Sequence, residues 1–313
     1  PKSGRSNPVR LHSGKFAVLK QALLVVAFVV ALRLPFLHQA IQGDEVTYLT
    51  GAQHAQIEPL HPTRVHYLLQ GVSVDMRGHP HPPLNVFLLG GLLAAMGDIR
   101  EARFHAVYIA FSLIAGLSML ALARKYSPHP LLATFLFLTV PAFVINGSSL
   151  ETDVPFLAFW MACVASLVYG FASLAAVAGA LACLTAYQGV FLTPVLAVYL
   201  WRERRDDLRG WLAIVAGPLV LAAWQLFERA TGGQAPAGVL AGYLSTYGLV
   251  AIVKKLRSAT SLVMHLGWMI SPLIVWSVRG KRWQYIVAGV FALAAAIYDP
   301  NPLDRKSTRL NSS

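Results

Sequence analysis

Charge is scarce in this chain, and negative charge scarcest: only 13% of the 313 residues are charged, with 14 Asp and Glu against 26 Lys and Arg. Soluble domains carry about 25% charged residues. With 56% hydrophobic residues and a mean hydropathy of +0.56, the chain lacks the polar surface that a large soluble core requires. The expected class is all-α, a polytopic helical membrane protein. Cysteine is nearly absent. Cys163 and Cys183 both lie inside apolar runs, so no disulfide framework is implied and the compartment stays open. There is also no repeat of 20–50 residues and no inverted duplication of the kind many transporters carry. The net charge of +12 raises nucleic acid as a partner. Yet the basic residues fall in short clusters between apolar runs, as in the cytoplasmic loops of membrane proteins, and nucleic acid is not expected.

The apolar segments read as 17–37, 82–97, 102–123, 131–147, 154–170, 171–186, 189–201, 211–228, 259–278 and 283–298. Several fall short of the roughly 20 residues of a perpendicular span. The pair flanking Tyr187-Gln188-Gly189 reads either as two half-length helices or as one kinked one. Basic clusters occupy the N-terminus, Arg124-Lys125, Arg202 to Arg209, and Arg279 to Arg282. All four fall on one side if 82–97 does not fully cross, and its Pro82-Pro83 opening and Gly90-Gly91 pair suit a re-entrant or surface-lying helix. That topology puts Asp44, His81 and Asp153 together on the non-cytoplasmic face. Arg100 and Arg103 then stand on the outer side as exceptions.

Residues 1–16 are expected to be a cytoplasmic segment before an uncleaved first span, since Arg33-Leu34-Pro35-Phe36 offers no small-residue cleavage site. The multi-span domain covers 17–303, with long outer loops at 38–81 and 229–258. The second loop leads into an amphipathic stretch bearing Lys254, Lys255 and Arg257. These cations fit either a lipid phosphate or a snorkelling interfacial helix. Residues 304–313 resemble the translation of a sequencing adapter, with a basic tail as the alternative, and are excluded from fold reasoning. The expectation is an N-terminal fragment, inactive by itself.

Because acids are rare, their positions carry information. Asp44-Glu45 follow the first apolar segment, His81-Pro82-Pro83-Leu84 open the next, and Glu151-Thr152-Asp153 follow a later one. Acids beside membrane spans are costly unless used. The order and spacing of these stretches, with a Gly97 to Arg103 step between them, resemble the integral-membrane glycosyltransferases of the C-type fold. The closest branch is that of the protein O-mannosyltransferases and the lipid A aminoarabinose transferases. The resemblance covers nearly all of 17–300. It implies transfer of a sugar from a polyprenyl phosphate to a lipid, glycan or protein acceptor, with inversion, at the outer face of a bacterial inner membrane.

On that resemblance Asp44 matches the acid of the first outer loop and is the candidate base. Glu45, its side chain about 100° away if the stretch is helical, either orients the acceptor or ties the loop down. An Asp-Glu pair in a helix's first turn is the purely structural reading. His81 stands where some family members have Lys and the mannosyltransferase branch has His, and would donate to a phosphate oxygen; otherwise it caps a turn. Arg103 is a second phosphate partner or a snorkelling helix end. Asp153 matches the family's second acidic position, with Glu151 beside it, and both are substrate-site candidates or a helix start. Tyr187 and Gln188 break an apolar run and are candidate contacts for the lipid carrier.

No cofactor is required by this reading. A divalent metal is left open, since oligosaccharide-transferring relatives hold one with acids at this position. The histidines of the first loop, His38, His54, His61, His66 and His79, lack the spacing of a metal-ligand set. The alternative function is a transporter or lipid flippase, which would bury its ionisable groups mid-span. A non-catalytic scaffold is the third reading.

Overall fold

A long helix with no acid anywhere in it opens the fold: α1 (Pro8–Arg33) takes the first apolar run and ends at Leu34-Pro35-Phe36, a single 3-10 turn. The computed structural model describes residues 8–69, 71–277 and 280–297. The decapeptide 304–313 and the first seven residues lie outside the described residues. The chain divides after Ala241 into two compact units.

In the first unit the presumed polar loop 38–81 is structured. Gly43, at φ +60°, turns the chain into α2 (Asp44–His54). A two-stranded hairpin follows, β1 (His66–Leu69) antiparallel to β2 (Val72–Asp75), with His66 opposite Asp75 and Leu69 opposite Val72. The described residues are mostly helical, as expected of an all-α chain, and this short hairpin is a local exception. Gly71, at φ +81°, supplies the left-handed turn residue that a tight hairpin needs.

The remaining helices of this unit are α3 (Leu84–Met96), α4 (Glu101–Tyr126), α5 (Pro130–Leu138), α6 (Pro141–Asn146), α7 (Asp153–Val168), α8 (Ala172–Thr185), α9 (Leu192–Glu203) and α10 (Leu208–Gly232). Pro141 at the head of α6 divides the segment read as 131–147 into two helices, because proline breaks the ladder of the helix before it. Tyr187–Phe191 form a 3-10 turn leading into α9, so α8 and α9 are separate short helices. Among the described residues, three stretches are long and apolar enough to cross a membrane: Phe16–Phe36, Glu101–Tyr126 and Leu208–Gly232.

Helix α4 spans about 39 Å at 1.5 Å per residue and serves as a ruler for the bundle. At its N-terminal end, Glu101 Oε1 accepts from Ile41 N and His105 bonds the carbonyls of Gln39 and Ser148. At its C-terminal end, Lys125 Nζ donates to Val168 O and Ala121 O accepts from Tyr169 OH. The ends of α1 and α6 and the start of α7 therefore gather at one end, and the end of α7 at the other. Arg204, just beyond α9, donates to Leu167 O and Val168 O at the second end as well.

Helix α3 leaves and returns at the first end. Asn85 at its start donates to Leu150 O, and the chain has reached Glu101 only four residues beyond Gly97. At 13 residues it measures about 20 Å. It packs along α2, where Gln56 Nε2 donates to Gly90 O, so it does not traverse the bundle.

Three apolar clusters fill the unit: α7, α8, α9 and α10 around Leu167 and Leu200; α2, α3 and α4 around Leu89 and Phe104; and α1, α4, α5 and α7 around Val29 and Leu138.

The second long loop is also corrected. Gly233, at φ +75°, caps α10 in the left-handed conformation, and Pro236 at once starts α11 (Pro236–Ser277). A glycine after one helix and a proline heading the next mark a junction, not a long loop. The second unit begins within α11 and includes α12 (Lys281–Ile297). Lys254, Lys255 and Arg257 lie exposed on α11. Of the fourth basic cluster, Arg279 lies outside the described residues.

Candidate functional site

At the N-terminal end of α4 the chain brings together three stretches far apart in sequence. The link is Glu45. Fully buried in the first turn of α2, it accepts on Oε1 from Ser149 Oγ and Leu150 N, both at 2.8 Å, and on Oε2 from Gln42 N at 3.0 Å. Asn85 donates to Leu150 O at 2.7 Å, and its own Oδ1 accepts from Tyr108 OH at 2.7 Å. This network fixes the 147–152 turn against α2, α3 and α4. Of the roles open to Glu45, its geometry is that of the loop tie: three donors converge on a carboxylate without solvent contact.

Asp44, one residue earlier, is exposed. A helix turn later, Tyr48 shares its face and is buried. Tyr48 OH lies 3.3 Å from Thr152 Oγ1, which lies 3.2 Å from His81 Nδ1. Around this chain of hydroxyls and imidazole stand the carboxylates of Asp44, Glu151 and Asp153, with Asp153 exposed at the start of α7. Gly43 sits against Glu151, whose Oε1 is 4.0 Å from where a Cβ would stand. His79 completes the pocket wall, edge-on to Tyr48 at 5.2 Å and 5.3 Å from the His81 ring.

The electrostatics follow from this crowding. Burial, then the negative charges of Asp153, Asp44 and Glu45, push the Glu151 carboxyl above its ordinary value. Burial lowers His81, against the pull of Asp153 and Asp44 and a backbone hydrogen bond at Thr185. His79 falls further, to about 4, through burial and the neighbouring His81. Tyr48 is raised by burial and by the same acids, although its bond to Thr152 works the other way. At neutral pH the site therefore presents neutral imidazoles beside its acidic side chains.

Of the residues singled out from sequence, Asp44, His81, Glu151 and Asp153 come together. Arg103 does not join them: it is exposed in the first turn of α4, and no hydrogen bond or ion pair ties it to the cluster. Tyr187 OH accepts from Gln225 Nε2 at 3.0 Å, and Gln225 Oε1 accepts from Ala237 N, so Tyr187 braces the α10–α11 junction. Gln188 is exposed. Lys254 and Lys255 belong to the second unit. Among the described residues, no three His, Cys, Asp or Glu side chains stand together as a set that could hold a metal ion.

Sequence reading missed Tyr48, Thr152 and His79 as site residues. Asp44 and Tyr48 at i, i+4 was the available signal, once Asp-Glu is read as a helix start. It also missed a second network. Glu228, 1% exposed near the end of α10, pairs with His61 Nδ1 at 3.0 Å and Arg64 Nε at 3.3 Å. Arg64 Nη2 donates to Thr231 Oγ1 at 2.7 Å, and the His61 ring stacks on Phe227 at 5.1 Å. This clamp fastens the first loop to α10. Beside it opens an apolar groove of about 340 Å³ lined by Pro83, Leu84, Phe87, Leu184, Trp224 and Phe227. Two of its lining residues, Pro83 and Leu184, follow His81 by two positions and precede Thr185 by one.

Comparison with protein-family models, with curated proteins and with solved structures returns no match for this chain.

Proposed function

We propose that this chain is a membrane glycosyltransferase domain that moves a sugar from a polyprenyl-phosphate donor to an acceptor hydroxyl. The observation that carries the reading is the pairing of the exposed Asp44 and Asp153 carboxylates around His81 with an apolar groove that starts beside that histidine. A lipid-linked donor needs such a junction: an apolar bed for its chain, and polar groups where the chain meets the sugar.

Asp44 acts as the base. It takes the proton of the acceptor hydroxyl as the oxygen attacks the anomeric carbon, and the carbon–phosphate-oxygen bond breaks with its electron pair left on the polyprenyl phosphate. His81 donates a hydrogen bond to that phosphate; binding of the anion favours protonation of the ring. Asp153 and Glu151 hold sugar or acceptor hydroxyls. Neither a metal nor Arg103 is given a step.

The topology also supports the reading. Lys125 and Arg204, of the second and third basic clusters, lie at the bundle end opposite the acids, and positive-inside bias then favours a site on the non-cytoplasmic side. Carboxylates at helix ends favour surface chemistry over a transport pathway. Of the buried acids, Glu228 is spent on Arg64 and His61, and Glu45 on the 147–152 turn.

The test is release of polyprenyl phosphate from a panel of labelled polyprenyl-phosphate sugars by purified protein, with Asp44→Asn matched for folding by thermal melt. Release abolished by the substitution supports both transferase and base. Release that survives moves the base to Asp153. Substrate movement across vesicles without release would overturn the transferase in favour of a transporter.

A further inference from the structure

The end of the bundle opposite the acids carries a second feature. Helices α4, α7 and α8 enclose a groove of about 580 Å³, far larger than the one beside His81. Its walls are Leu117 and Ala121 of α4, Phe159 of α7, Tyr169 just beyond it, and Leu174 and Val177 of α8, almost wholly apolar. Leu174 and Val177 are each 56% exposed. Two cations contact the chain at and next to its lining residue Tyr169. Lys125 Nζ lies 5.9 Å from the ring of Tyr169 while donating to Val168 O at 3.0 Å. Arg204 reaches Leu167 O and Val168 O, with Nη1 3.0 Å from where a Cβ on Gly170 would stand. An ammonium has three donors and a guanidinium five. One of the first and two of the second serve those carbonyls, and Arg204 Nη1 also faces Asp207 Oδ2 at 3.9 Å, which still leaves donors on both groups for an anion. Arg124, Arg202, Arg205 and Arg209 add positive charge in the same segments and outnumber Glu203, Asp206 and Asp207.

We propose that this groove binds one anionic glycerophospholipid of the cytoplasmic leaflet, an acyl chain lying along Leu117, Phe159 and Val177 and the phosphate held by Lys125 and Arg204. Charge complementarity selects this occupant. A second apolar helix would fill the groove but has no use for two cations beside Tyr169, whereas a phospholipid presents apolar chain and anion in that order. The sugar-transfer site lies at the other end of α4, so this lipid is no substrate of it. The inference goes beyond the proposed reaction and rests only on the bundle lying in a membrane.

The whole chain, extracted from membranes in detergent, would be exposed to dioleoyl-phosphatidylglycerol and dioleoyl-phosphatidylcholine in equal amounts, and the retained lipid read by native mass spectrometry. Two basic contacts predict a preference for phosphatidylglycerol of roughly thirtyfold. Lys125→Gln with Arg204→Gln keeps amide donors for the Leu167 and Val168 carbonyls and should abolish the preference. Val177→Trp leaves both cations in place, fills the groove from an exposed position, and should lose both lipids. Equal retention of the two lipids by the wild type, or unchanged retention in Val177→Trp, would overturn the site and leave the membrane reading standing. Recovery of the chain without detergent in the soluble fraction would overturn both.

Discussion

Thr152 and His81, 71 residues apart in sequence, are joined by a hydrogen bond of 3.2 Å between Oγ1 and Nδ1. Thr152 also meets Tyr48 OH at 3.3 Å, so one hydroxyl links the α2 face to the imidazole. Thr152→Val keeps the shape and removes the bridge. The expected result is a five- to tenfold slower release of polyprenyl phosphate, about the worth of one hydrogen bond. Thr152→Ser restores it.

Acid sensitivity is expected from His79. Its value falls from 6.5 to about 4 in the folded chain, through burial and the nearby His81. A group depressed in this way contributes its stability above 6.5 and loses it as the pH falls through 4. The span corresponds to about 3 kcal/mol of stability. Thermal melts between pH 7 and 4.5 should show the wild type losing stability with a slope that His79→Gln lacks in large part. The lowered His81 contributes a residue of the same sign.

Glu151 works in the opposite sense. Its carboxyl is raised by burial and by three acids, so its contribution is fully present below 4.5 and is lost as the pH rises through the folded value. Glu151→Gln fixes the neutral form. The variant should melt above wild type at neutral pH and match it near pH 4.

The buried clamp gives a larger effect. Glu228→Ala leaves His61 and Arg64 facing a cavity with no carboxylate, and breaking a buried pair from one side costs about 3–5 kcal/mol. The first loop should then become open to proteolysis between Glu58 and Arg77. A melt unchanged from wild type would refute the clamp.

Gly51 tests how α2 is held on α3. A Cβ there would stand 2.7 Å from Val86 Cγ1 and 2.9 Å from Met76 Sδ. Gly51→Val should destabilise by about 1–3 kcal/mol through overpacking, and weaken donor release because α2 carries Asp44.

Much of this molecule was legible along the chain. Scarce charge and long apolar runs announce helices, and among the described residues three helices are long and apolar enough to cross a membrane. The rare acids pointed to the stretches that meet at one end of α4. The short, proline-headed 82–97 segment was open to a re-entrant or surface-lying path, and it is the packing of α3 along α2 that decides its course. The long loops were misread, because polarity was weighed above turn chemistry: Gly233 and Pro236 close one helix and open the next with little loop between.

What composition and spacing determined is local: which stretches are helical, where they stop, and which few charged groups are too costly to be idle. Tertiary structure alone decided that Glu45 is a buried tie while Asp44 beside it is exposed. It also decided that Arg103 stands apart and that Glu228 finds His61 across 167 residues. The physical reason is that a periodicity specifies one helix's faces, whereas a partner for a buried charge is chosen by which helices pack. That choice depends on volumes summed over the whole core.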